Sequence, residues 1–258
     1  MKRIQIHEVV ARDGFQNEPE FVSTEDKIRL INQLSQTGIE KIEVTSFVSP
    51  KAVPNLRDAQ EVMEGIQRIP NVIYSALIPN LKGAERAILS HADEVNIVVS
   101  VSETHNLKNL RMTREQSFEN IKAICRLLEP EDIHINGSLA TSFGCPFEGN
   151  IREDEVINLI VRFLDLGADS ITLADTTGMA TPNQVYRLAA KVLERWPELP
   201  LTLHFHNTRG MGLANVLEGI RAGVTSFDSS LGGIGGCPFA PGATGNICTE
   251  DLVHMLYF

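Results

Sequence analysis

The sequence of 258 residues has no long apolar run. Its opening stretch, MKRIQIHEVVARDG, is basic, but its apolar residues are interrupted at Gln5, His7 and Glu8, which excludes a signal peptide and a membrane span there. Cysteine is scarce. The four present, Cys125, Cys145, Cys237 and Cys248, form no C-x-x-C pair and are too few for a disulfide framework, so they are expected as thiols in a reducing, cytoplasmic compartment. Basic residues are in deficit, 23 against 33 acidic for a net charge of -10, which argues against nucleic acid or an anionic membrane as partner. No G-x-G-x-x-G follows the first strand and no Walker motif occurs, which lowers the case for a nucleotide-binding fold. What is present is a 43% hydrophobic composition with no linker or low-complexity tract, that of a globular chain with a substantial core.

β-rich runs at residues 4–10, 41–47, 72–78, 94–101, 133–140, 170–176, 201–206 and 225–230 alternate with stretches of helical spacing. Ile28, Ile31 and Leu34 follow Ser23 on one helical face, and Val185, Leu188, Ala189 and Val192 follow Thr181 on another. Thr181, Pro182 and Gln184 form a capping box with proline in its first turn, and Gly38, Gly167 and Gly223 stand where helices end. Eight strands alternating with helices predict a closed (β/α)8 TIM barrel occupying residues 1–258 as a single domain, with an open doubly wound sheet as the alternative. A barrel places its chemistry at the C-terminal ends of the strands.

Polar residues stand at those ends. Arg12 and Asp13 close the first strand, Glu43 to Ser46 the second, Asp175 the sixth, and His204 and His206 the seventh. Residues two apart on a strand point the same way, so the two histidines are either packed in the core or half of a metal site. Barrel closure brings the first strand beside the eighth and near the seventh, so Asp13 can join them, and a carboxylate with two imidazoles suits a divalent ion with open positions. Arg12 presents a fixed fork of donors suited to an oxygen that gains charge. The tetrapeptide G-C-P-F occurs twice, around Cys145 and around Cys237, the second inside the glycine-rich LGGIGGCPFAPGATGN. Cys237 is read as a chemical thiol on a mobile loop, Cys145 is open between chemistry and packing, and Cys125 and Cys248 are read as buried hydrophobes. Asn246 is either a helix cap or a further metal oxygen.

The segments VARDGFQNEP, IEVTSFVSPKAVPNLRD, SFGCPFEG, LADTTG, and HFHNTRG through GGCPFAPGATGN resemble the hydroxymethylglutaryl-CoA lyase family of the DRE-TIM metallolyases, over nearly the whole chain. The resemblance implies a metal-dependent barrel that splits 3-hydroxy-3-methylglutaryl-CoA into acetyl-CoA and acetoacetate. It makes Asp13, His204, His206 and Asn246 ligands of Mg2+ or Mn2+, and makes Arg12 and Cys237 catalytic. Asp13 and His204 are the candidates for the base. Glu43 and Asp175 match supporting acidic residues, while Gln16, Ser46 and Glu250 match the surroundings. An acyl-CoA substrate, with Lys51 and nearby basic residues as candidate contacts, and a homodimer are further expectations from the resemblance.

Three departures qualify the match. Ala11 replaces the family's usual proline before the arginine, and Asn207 follows the H-x-H motif where the family has aspartate. The family also continues past the equivalent of Phe258, so truncation in or after the eighth helix is expected. The alternatives to the lyase are a relative acting on another 3-hydroxy-3-substituted glutaryl-CoA, a condensing enzyme using acetyl-CoA and a 2-oxo acid, and a non-catalytic barrel. The GGCPFAPG loop disfavours the condensing enzyme, and the complete set of ligand types disfavours the non-catalytic barrel.

Overall fold

Strand-forming runs alternate with amphipathic helices in a computed structural model that describes residues 3–236 and 245–257. The strands are β1 (Gln5–Glu8), β2 (Lys41–Ser46), β3 (Ile73–Leu77), β4 (Glu94–Ser100), β5 (His134–Ala140), β6 (Ser170–Asp175), β7 (Leu201–Phe205) and β8 (Ser226–Ser229). They pair in sequence order, all parallel, and β1 closes on β8 with Gln5 opposite Ser226 and Glu8 opposite Ser229. This is the closed (β/α)8 barrel that the alternation predicts.

Around it run α1 (Thr24–Leu34), α2 (Ala59–Gly65), α3 (Leu81–Leu89), α4 (Glu103–Leu110), α5 (Arg114–Leu128), α6 (Glu153–Asp165), α7 (Pro182–Arg195), α8 (Gly212–Ala222) and α9 (Thr249–Tyr257). The longer ones, such as α5, α6 and α7, turn an apolar stripe inward, whereas α4 buries His105 and Asn106. On α7, Val185, Leu188, Ala189 and Val192 are buried as their spacing predicts, and each of the larger ones contributes roughly 1.5–3 kcal/mol by leaving water. Gln184 Oε1 accepts from the Thr181 amide at 3.0 Å at the start of that helix, as the capping pattern requires. Gly223 ends α8 with φ of 105°, a conformation that an L side chain resists.

β1 is shorter than the β-rich run suggests. After Glu8 the chain tightens into a π-helical turn over Val10–Gly14, in which the amides of Arg12, Asp13 and Gly14 all converge on the Val9 carbonyl at 3.1, 2.8 and 3.3 Å. Arg12 and Asp13 therefore stand on a turn at the barrel mouth rather than on the strand itself; such turns are frequent at functional sites. The barrel interior is polar. Lys41 pairs with Glu94 at 2.7 Å, and a chain of amides links Glu43, Asn96, Asn136 and Thr172.

Candidate active site

Asp13, His204 and His206 meet at the C-terminal mouth of the barrel, all buried, with one potential ligand atom of each within 4.8 Å of the others. His206 Nε2 lies 3.8 Å from Asp13 Oδ2. The i, i+2 spacing puts both imidazoles on one side of the chain where β7 ends, His206 directly following its last residue, with ring centroids 5.1 Å apart. His204 Nδ1 lies 3.1 Å from Asp228 Oδ2, and Asp228 Oδ1 lies 3.4 Å from His7 Nδ1. With Nδ1 of His204 engaged, its Nε2 is the nitrogen left for an ion.

Asn246 joins this group. Its Nδ2 donates to Asp13 Oδ2 at 2.7 Å and to the Ile234 carbonyl at 3.1 Å. Its buried Oδ1 has no hydrogen-bond partner among the described residues. A buried carbonyl oxygen without a donor costs free energy in an apolar setting, so this one is open to a partner, and a cation would serve as one. Two imidazoles, a carboxylate and an amide oxygen form a donor set that fits a divalent ion with positions left for substrate oxygens. Space is tight: a Cβ on Gly235, whose φ is 111°, would lie 2.6 Å from Asn246 Nδ2 and 2.9 Å from the Asp13 carbonyl.

Arg12 completes the acidic side. Its Nε donates to Glu43 Oε2 and its Nη1 to Asp13 Oδ1, each at 2.5 Å. Burial works against the guanidinium charge, but Glu43 and Asp13 outweigh it and raise its pKa further. Burial likewise pushes Asp13 upward, yet Arg12, His206 and His204 prevail and hold its carboxyl at about 2. Asp13 is thus an anion at any ordinary pH. Burial raises Glu43, with Arg12 offsetting part of the effect, and raises Asp175 to about 6. Asp175 Oδ1 accepts from the Met179 amide at 2.7 Å, while its Oδ2 has no hydrogen-bond partner among the described residues.

Gln16 Nε2 donates to Asp13 Oδ1 at 2.8 Å. The loop that carries Gln16 is itself gripped by the segment after β2. Asn55 Nδ2 donates to the Glu18 carbonyl at 2.6 Å, and the buried Lys27 ammonium holds the Asn55 carbonyl at 2.6 Å and Asp58 at 2.7 Å.

Other candidates fall outside the cluster. Ser46 Oγ accepts from the Val48 amide at 3.4 Å, and Lys51 is exposed. Glu250 accepts from the Gly232 amide at 2.9 Å and from Cys248 Sγ at 2.9 Å, so it tethers the segment after β8. Cys145 is fully buried, with Sγ donating to Ser102 Oγ at 3.0 Å, and Cys125 is buried as expected. Cys248 is only half-buried, at the start of α9, rather than in the core. Cys237 lies outside the described residues; the segment leading to it is anchored where Asn17 Nδ2 donates to the Gly236 carbonyl. Asn207 Oδ1 accepts from the Gly212 amide at 3.1 Å and serves the start of α8, so the exchange after H-x-H keeps a capping oxygen and places no group among the ligands.

Sequence reading missed Asp228 and His7. Their signal is register: Asp228 is the third residue of β8 and stands opposite His204 on β7, while His7 stands opposite Asp228 on β1. Two opposed imidazoles pull the Asp228 carboxyl well below its ordinary range despite burial, and Asp228 in turn raises His204.

Comparison with known proteins agrees with this geometry. The HMGL-like family model matches residues 3–258. Over 255 residues the chain is 45% identical to hydroxymethylglutaryl-CoA lyase YngG of Bacillus subtilis, covering 99% of this chain and 85% of that protein. It is 44% identical to the mitochondrial hydroxymethylglutaryl-CoA lyase of Homo sapiens, covering 99% of this chain and 78% of that one. An HMG-CoA lyase from Acinetobacter baumannii, solved with coenzyme A and 3-methylmalate, superposes with a TM-score of 0.95 at 57% identity, over 99% of this chain and 83% of that chain. With a matching family model across nearly its whole length and relatives of this similarity, the chain belongs to the HMGL-like family.

Proposed function

We propose that the protein is a divalent-metal-dependent carbon-carbon lyase that cleaves 3-hydroxy-3-methylglutaryl-CoA into acetyl-CoA and acetoacetate. The observation that carries this reading is the convergence of Asp13, His204, His206 and Asn246, whose Oδ1 has no donor among the described residues, beside Arg12 at the barrel mouth. Those four residues would hold Mg2+ or Mn2+, and when bound such an ion supplies Lewis-acid polarisation of substrate oxygens.

The chain's own groups carry the rest. Asp13 accepts the C3 hydroxyl proton, the C2–C3 bond breaks, and its electron pair passes to the thioester as an enolate while C3 becomes the ketone of acetoacetate. Arg12 faces the enolate oxygen: two of its nitrogens are fixed by Glu43 and Asp13, which locks the fork, and Nη2 has no hydrogen-bond partner among the described residues. Cys237, which directly follows the anchored Gly236, protonates C2 and releases acetyl-CoA. Gln16 and Asn246 fix the Asp13 carboxylate from either side.

The acyl-CoA substrate is supported by the names of the relatives and by the coenzyme A bound in the Acinetobacter baumannii enzyme. The same reading takes residues 1–258 as one catalytic domain, acting as a homodimer in the cytoplasm. The location rests on the three free thiols among the described residues, the dimer on family resemblance. No described helix is long and apolar enough to cross a membrane. To test the reaction, folded protein loaded with Mg2+ or Mn2+ is incubated with 3-hydroxy-3-methylglutaryl-CoA. Equimolar acetyl-CoA and acetoacetate are expected, and absence of both overturns the assignment.

A further inference from the structure

Glu8, the last residue of β1, is fully buried and has no part in the metal cluster, yet its two carboxylate oxygens collect donors from three separate segments. Oε1 accepts from the Val10 amide at 2.9 Å and from the Leu231 amide at 3.1 Å. Oε2 accepts from Thr249 Oγ1 at 2.7 Å, which also lies 2.8 Å from Ser229 Oγ. Val10 opens the turn that carries Arg12 and Asp13. Leu231 opens the 3-10 turn Leu231–Gly233, which runs on to Gly235 against Asn246. Thr249 opens α9, three residues beyond Asn246.

We propose that Glu8 is a positioning residue: one buried carboxylate that locks the Arg12–Asp13 turn, the segment after β8 and the start of α9 into the arrangement in which Asp13 and Asn246 share a ligand site. This rests on the function proposed above. Without the lock, the segment after β8 and the start of α9 stay joined through the Ser230–Ile247 and Thr249–Ser230 backbone bonds and the Glu250–Gly232 contact, while the Arg12–Asp13 turn meets them through the Val9–Ser229 and Asn246–Asp13 hydrogen bonds. With it, each segment is fixed at its first residue to a common point, so Asn246 Oδ1 and Asp13 are preorganised before an ion or a substrate arrives.

The lock responds to ionisation. Burial raises the Glu8 carboxyl from the ordinary 4.5 to about 7, with the hydrogen bonds from Thr249, Val10 and Leu231 opposing and the charge of Glu250 on α9 adding to the rise. The same elements also carry the His7–Asp228 pair on β1 and β8 and the Arg12–Asp13 pair on the turn. As a carboxylate Glu8 makes charge-assisted hydrogen bonds to all three donors; as an acid it donates its proton to Thr249 Oγ1 and holds the two amides with a neutral carbonyl, which is weaker. Activity is therefore expected to rise with pH through about 7 as Glu8 ionises.

The test uses Glu8→Gln and Glu8→Ala in the intact chain with three readouts: hydrogen exchange at the Val10 and Leu231 amides, Mn2+ affinity, and the pH dependence of kcat for 3-hydroxy-3-methylglutaryl-CoA. The Glu8→Gln side chain mimics the neutral acid. That variant should keep both amides protected but lose the rise in kcat near pH 7. Glu8→Ala should speed exchange at both amides by about tenfold or more, weaken Mn2+ and lower kcat by a similar factor while KM changes little, a tenfold loss being about 1.4 kcal/mol of hydrogen bonding removed. Unchanged amide exchange and Mn2+ affinity in Glu8→Ala, or a kcat step near pH 7 that persists in Glu8→Gln, overturns the proposal. Should the alanine variant fail to fold, Glu8→Gln alone decides through its pH profile. If the wild-type protein cleaves no substrate, the functional reading falls, whereas amide exchange and Mn2+ affinity still decide the role of Glu8.

Discussion

Replacing Asp228 with asparagine keeps its volume and removes the charge between two imidazoles. In the native site Asp228 Oδ2 holds His204 Nδ1 at 3.1 Å and Oδ1 faces His7 Nδ1 at 3.4 Å, so the His204 proton sits on Nδ1 and Nε2 is presented to the ligand site. The Asp228→Asn side chain offers one acceptor and one amino group in place of two acceptors. If its oxygen faces His204, the tautomer survives but the negative charge that raises the basicity of this ring is gone. If its amino group faces His204, the ring proton moves to Nε2 and points into the ligand site. Either way the imidazole becomes a poorer ligand. Loss of such an outer carboxylate typically weakens a site 10–100-fold, about 1.4–2.8 kcal/mol. The assay is Mn2+ titration by calorimetry or electron paramagnetic resonance, paired with circular dichroism to confirm the fold and kcat at saturating metal. A folded Asp228→Asn protein with native Mn2+ affinity refutes this chain of reasoning.

Gly235→Ala should fold normally, since the residue sits at the barrel mouth away from the core. The new Cβ meets Asn246 Nδ2 at 2.6 Å in a left-handed conformation, so Mn2+ affinity and kcat should each drop at least tenfold while Tm moves by a few degrees; equal metal affinity would contradict the close approach. Lys27→Met leaves Asp58 buried without its ammonium and frees the Asn55 carbonyl, and should cost about 3–5 kcal/mol in urea unfolding. A loss under about 1 kcal/mol would show that the pair is not organising the loop. Glu8 sets a pH dependence of stability. Its folded pKa is about 7 against 4.5 for the free group, so the native state binds its proton more tightly: this contribution is complete below about 4.5 and is lost as pH rises through 7. The span is about 3 kcal/mol, and Glu8→Gln should flatten the stability profile across that window. Asp13 behaves in the opposite sense. Its folded pKa of about 2 contributes stability that is present above the ordinary 3.8 and lost as pH falls towards 2, and Asp13→Asn should remove that acid limb.

The barrel was legible because each β-rich run is short and bounded by a helix signal, so all eight strands stand where the alternation places them. The pairing of His204 and His206 at the end of β7 was legible from strand periodicity, and Asp13 from its place after the first run. The π-helical turn was not, since it depends on three amides sharing the Val9 carbonyl, a tertiary outcome that propensity does not encode. Asp228, His7 and Glu8 were missed for a different reason. Each is an ionisable residue inside a short strand, with no motif around it, and its meaning appears only when β1, β7 and β8 come into register. Asn246 reads as cap or ligand in the sequence, and its place beside Asp13, with an Oδ1 that lacks a donor among the described residues, favours the ligand reading proposed above.

The most direct measurement is a titration of metal-stripped protein with Mn2+ in which bound ion and cleavage of 3-hydroxy-3-methylglutaryl-CoA are followed in the same sample, alongside His206→Ala. Cleavage should be absent without metal, grow in proportion to occupancy up to one ion per chain, and be lost together with tight binding in the variant. Full-rate cleavage by metal-free protein, or tight binding of one ion by His206→Ala with undiminished turnover, would contradict a lyase built on Asp13, His204, His206 and Asn246.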